Sequence, residues 1–150
     1  MEFITYFGAA VVSYLGFASG MFLAYANIGE LKAGRKYFTI LKKIFIASAV
    51  AACAYGLAET STISALLLAL SVLPVILMDM PLPLTYVLLG MVFYLGSTTF
   101  AFPAVASLIF LFGIPSGTIA KSTKDGKIKP GYIDLWYNLG FFIAAVLFLL

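Results

Sequence analysis

The 150-residue chain has no histidine, a single cysteine, and few charges: nine Lys or Arg against six Asp or Glu. Without histidine there is no imidazole metal ligand, no His-ligated haem and no His general base. With Cys53 alone, neither an intrachain disulfide nor a cysteine cluster can form. Cys53 sits among alanines and is expected to pack as a small hydrophobe. Charged residues make up 10% of the chain and hydrophobic ones 63%, whereas soluble domains run nearer a quarter charged and half apolar. A water-soluble domain of this size would have to leave much of that apolar surface exposed. These scarcities exclude an ordinary soluble enzyme, a disordered tail and a disulfide scaffold. They point to an all-α, polytopic integral membrane protein that forms one transmembrane domain over residues 1–150.

A spanning helix needs about 20 apolar residues at ~1.5 Å each. Residues 3–25 make one such run, followed by a polar stretch that carries Glu30, Lys32, Arg35, Lys36, Lys42 and Lys43. A second span over 38–58 uses snorkelling lysines at its start. From Ile63 to Ile119 the only charge is Asp79, and the length suits about three crossings. Two prolines beside Asp79 (Pro81 and Pro83) mark one break, and Ser97-Thr98-Thr99 marks another. The expected spans are then 63–78, 84–97 and 100–119, the fourth being short enough that a re-entrant segment is an alternative. After a second basic stretch, Pro130-Gly131 opens a sixth span over 132–150. No charged leader or small-residue cleavage pattern precedes the first span, so it reads as retained.

The basic residues set an orientation. Lys32, Arg35, Lys36, Lys42 and Lys43 lie in the first polar stretch, and Lys121, Lys124, Lys127 and Lys129 in the second. The positive-inside rule then places loops 26–43 and 120–131 in the cytoplasm and both termini outside, in a cellular membrane, the plasma membrane being the expectation.

The chain also resembles itself. Shifted by 97 positions, Gly16-Phe-Ala-Ser19-Gly20 falls on Gly113-Ile-Pro-Ser116-Gly117, and Gly29, Lys32 and Gly34 fall on Gly126, Lys129 and Gly131. Phe45-Ile46-Ala47 falls on Phe142-Ile143-Ala144. Spans one and two would thus repeat as spans five and six, in one orientation, around an unrepeated pair; parallel repeats of transporters are related in this way.

Gly16, Ser19, Gly20 and Gly113, Ser116, Gly117 form two GxxxG-type patterns, which let helix backbones approach closely. They are candidates for internal helix packing or for contact with a partner or a second copy. The Gly-x-x-Ser-Gly string is not a nucleophile elbow, which needs a His partner, and the glycines lack the Gly-Lys-Ser/Thr ending of a phosphate loop. Lys32, Arg35, Lys36, Lys121, Lys124, Lys127 and Lys129 are candidate contacts for anionic lipid headgroups or for a partner's acidic edge. They are too scattered for nucleic acid. Asp134 and Asn138 share a helix face one turn apart and make a candidate polar path; a first-turn acid favoured by the helix dipole is the plainer reading. No acidic spacing suggests a metal, and no cofactor is expected.

Three functions remain. Short loops, no soluble domain and small-residue stripes suit an accessory or assembly subunit that packs against partner helices. A small oligomeric transporter or channel is the next reading. A membrane-embedded enzyme at headgroup level is the third.

Overall fold

A computed structural model describes residues 3–27, 30–58, 62–63, 66, 68, 70, 81–122, 127–128 and 139–147. Among these residues there are five helices: α1 (Phe3–Ala26), α2 (Leu31–Ala58), α3 (Leu82–Ser97), α4 (Phe102–Lys121) and α5 (Gly140–Leu147). Three of them, α1, α2 and α4, are long and apolar enough to cross a membrane. The described residues are therefore almost entirely helical, and three of their helices are suited to lipid.

α1 follows the expected first span closely. Its apolar run ends where Asn27 donates back to the carbonyl of Leu23. α2 departs from expectation. Residues 31–43 are helical rather than a loop, because Lys and Arg are good helix formers and their stems can lie along the helix while the charges reach water. At 28 residues α2 is about 42 Å long, so its first two turns outrun a ~30 Å hydrocarbon core.

α3 begins two residues before the expected 84, with Pro81 at its cap and Pro83 in the first turn, where a missing N–H costs nothing. It ends at the serine–threonine break for a clear reason. The hydroxyls of Ser97, Thr98 and Thr99 donate to the carbonyls of Tyr94, Leu95 and Gly96, at 2.6, 2.8 and 2.9 Å. These bonds satisfy helix-end acceptors that lipid could not. α4 then starts at Phe102 rather than 100 and runs past Pro115 to Lys121. The expected third span lies almost wholly outside the described residues, as does the first half of the sixth.

Contacts fix the directions of the helices. Ser13 meets Ala106, Gly20 meets Thr118, and Tyr25 meets Lys121, so α1 and α4 run parallel. Arg35 reaches Ser122, while Gly56 faces Thr99 and Ala101, so α2 is antiparallel to α4. α3 packs chiefly on α5, in parallel, through Gly90 against Phe141 and Ala144. α2 lies mainly on α4 and not on α1, its neighbour in sequence. α4 is thus central. One end of the bundle gathers Tyr25, Arg35 and Lys121; the other gathers the starts of α1 and α4 and the ends of α2 and α3.

The α1–α4 seam is the tightest contact. A Cβ added at Gly16 or Gly20 would run into the backbone carbonyls of Phe110 and Ile114, and one at Gly113 or Gly117 into the backbone of Gly16 and Phe17. Beside the seam, aromatic rings from α1, α3, α4 and α5 fill the interior. Tyr86 lies between Tyr14, Phe17, Phe112 and Phe141 at centroid distances of 5.4–6.4 Å, all four edge-on at 69–87°. Phe93 does the same with Tyr6, Phe102 and Phe141. Such offsets suit the ring quadrupoles. The outer faces carry large apolar side chains, among them Ile4 and Phe22, 81% and 75% exposed.

Gly117→Ala should lower the thermal midpoint in detergent by an amount equivalent to about 1–3 kcal/mol, the usual cost of overpacking. Gly8→Ala, where nothing lies within 4 Å of the new methyl, should leave it unchanged or raise it, since Ala favours a helix interior by about 0.5–1 kcal/mol over Gly. Differential scanning fluorimetry of both variants checks the contrast.

Candidate functional site

The six small residues singled out in the sequence do not all lie alike. Gly16, Gly20, Gly113 and Gly117 line the seam between α1 and α4. Ser116 is fully buried beside it, whereas Ser19 is exposed. The close approach allows hydroxyls to cross between the helices. Ser13 Oγ donates to the carbonyl of Ala106 at 3.1 Å, and Thr118 Oγ1 to that of Gly20 at 2.9 Å. Farther along α1, the Tyr6 hydroxyl donates to the carbonyl of Ala145 at 2.7 Å. It ties α1 to α5 across the aromatic core. Cys53 is buried, with its thiol 3.5 Å from the carbonyl of Val92.

Two buried hydroxyls, Tyr86 and Ser116, have no hydrogen-bond partner among the described residues. Ser116 follows Pro115, whose missing N–H leaves the Leu111 carbonyl without its helical donor. Ser116 is also one turn beyond Phe112, whose ring abuts Tyr86. Sequence reading did not single out Tyr86. Its one signal was a tyrosine in the middle of an apolar helix that otherwise buries Leu89, Val92 and Phe93.

One lip of the seam opens into a trough of about 490 Å³, lined by Ala9, Val12, Ser13, Ala106, Ser107, Phe110 and Leu111. The polar groups of this lining are occupied: Ser13 bonds across the seam, and Ser107 Oγ donates to the carbonyl of Pro103 at 2.8 Å.

At the opposite end of the seam the two basic segments come together. Arg35 Nη1 donates to the carbonyl of Ser122 at 3.1 Å and lies 3.4 Å from its hydroxyl. Ser122 also forms an isolated antiparallel bridge with Ile128. Lys32, Lys36 and Lys127 are exposed. Lys121, expected in a loop and at headgroup level, instead ends α4 and is fully buried, its Nζ 5.5 Å from the centre of the Tyr25 ring. The α4 C-terminus favours a cation there, and the ring face adds to it. Beside this cluster lies a cleft of about 250 Å³ between the end of α1, the start of α2 and Thr118 of α4. It is lined by Asn27 and by Glu30, the only acidic side chain among the described residues.

Lys124 and Lys129, candidate headgroup contacts, lie outside the described residues, and so does the candidate polar path of Asp134 and Asn138. Among the described residues no three His, Cys, Asp or Glu side chains gather into a metal cluster.

An orphan hydroxyl in an apolar core costs about 1–3 kcal/mol. Tyr86→Phe should therefore raise the thermal midpoint, the ring contacts being kept. A lowered midpoint would reveal a bridging partner for that hydroxyl.

The chain matches no protein-family model, no curated protein and no solved structure.

Proposed function

We propose that this protein is a non-catalytic subunit of a membrane assembly, whose lipid-facing trough on the α1–α4 seam receives a helix of a partner subunit. The observation that carries the reading is the trough itself. Four of its seven lining residues are Ala or Ser, and its hydroxyls are already satisfied. In lipid, helices associate through close packing rather than through expulsion of water. A lining rich in Ala and Ser suits the approach of a second backbone better than the approach of a polar solute. The aromatic filling between α1, α3, α4 and α5 supports the same reading, since rings at 5–6.4 Å leave little room for a path there.

The topology proposed with it has six spans, both basic segments in the cytoplasm, both termini outside, and the plasma membrane as location. The contact of Arg35 with Ser122 supports a shared side for the two basic segments. The seam supports the duplicated hairpin. Gly20 faces Ile114 and Gly117 faces Phe17, and Ile114 and Gly117 stand 97 positions after Phe17 and Gly20. A shift by one repeat exchanges the two contacts, as a parallel repeat about an axis along the membrane normal requires.

A second reading, a small-solute transporter working as an oligomer, is favoured by one observation: the unpartnered hydroxyls of Tyr86 and Ser116 beside Pro115. Such groups could meet a solute if α4 bent at the proline.

A pull-down in mild detergent from native membranes should bring a helical membrane partner in fixed ratio. Val12→Cys should cross-link to that partner, and Ala106→Trp, which fills the trough, should release it. A chain recovered alone from gentle extraction, combined with saturable flux in liposomes, would replace the subunit reading with the transporter.

A further inference from the structure

We propose that the cleft at the basic end binds the headgroup of an amine-bearing phospholipid, with the ammonium on Glu30 and the phosphate on Arg35. This inference stands apart from the subunit reading and needs only that the helices sit in lipid.

The cleft lies at headgroup depth. α1 ends at Ala26, and the first turns of α2 extend beyond the hydrocarbon. Tyr25 and Tyr37, both exposed, mark that level as interfacial tyrosines do. The lining has two characters. Leu23, Leu31 and Phe38 offer an apolar wall at the bilayer side, where the first carbons of an acyl chain would lie, while Asn27 and Glu30 offer a polar mouth.

Glu30 lines the cleft, and Arg35, which follows Gly34 of that lining, stands beside it. Leu31, Gly34 and Phe38 fall on one stripe of α2. Glu30 stands on one flank of that stripe and Arg35 on the other. Glu30 is exposed and has no ion pair among the described residues, although Lys32, Arg35, Lys36 and Lys121 surround the same end. A lone carboxylate in a cationic field repels a purely anionic ligand from its own side and attracts an ammonium. Arg35 spends one nitrogen on Ser122. A guanidinium has five N–H donors, so others remain for a phosphate oxygen. A group with phosphate and primary ammonium a few ångströms apart meets both flanks at once. The apolar wall commits the ligand to a lipid rather than to the free headgroup.

The test is native mass spectrometry of the protein taken from nanodiscs of equal phosphatidylethanolamine, phosphatidylcholine and phosphatidylglycerol. Wild type should retain phosphatidylethanolamine at least tenfold over phosphatidylglycerol. Glu30→Gln, an exposed change that leaves the fold intact, should erase that preference. Gly34→Leu should abolish retention of all three, because even a Cβ at position 34 meets the Phe38 ring at 3.1 Å and a longer side chain fills the cleft. Equal retention of the three lipids by wild type would overturn the proposal. So would an unchanged preference in Glu30→Gln, or soluble phosphoethanolamine displacing the lipid at equal concentration.

Discussion

Two backbones in direct contact hold this molecule together. Where α1 crosses α4, four glycines remove the side chains that would keep the helices a normal distance apart, and peptide groups of one helix lie against those of the other. In water such a contact would be one among many. In lipid it is decisive, because acyl tails compete with every apolar side chain and only close packing and hydrogen bonds favour protein over solvent. The hydroxyls of Ser13 and Thr118 cross the seam because the backbones are close enough for them to reach. Around α4 lie α1, α2 and, more lightly, α3, and α5 joins the described bundle through α3.

The same approach explains where the functional features fall. One lip of the seam is shallow because its side chains are small, and this makes the trough. At the basic end, the parallel course of α1 and α4 brings Tyr25 beside Lys121. The antiparallel course of α2 brings Arg35 to Ser122. The cleft next to them is the space left where α1 stops, α2 begins and α4 ends. Trough and cleft are thus at different levels of one seam.

Much of this was legible in the sequence. The apolar run of α1, the break at Ser97-Thr98-Thr99 and the use of small residues for packing all follow from local chemistry. The start of α2 was not, since lysines on a membrane-proximal helix and lysines in a loop have the same composition. Nor was the identity of the helix facing each GxxxG pattern, because a glycine pair specifies closeness and names no partner. Lys121 departs from expectation for a related reason. A lysine after an apolar run ordinarily marks the membrane edge, and here the last turn of α4 and the ring of Tyr25 bury it. Glu30 and Asn27 carried no spacing signal at all; the cleft exists only because three helix ends meet.

Disulfide trapping in native membranes tests the central claim most directly, with Cys53 replaced by alanine to remove the background thiol. If α1 lies parallel to α4 along the glycines, Ser13→Cys should pair readily with Ala106→Cys, and Ser13→Cys with Ala120→Cys should stay reduced. The reverse pattern, fast pairing of 13 with 120 and none with 106, would mean the two helices run antiparallel and would contradict the account.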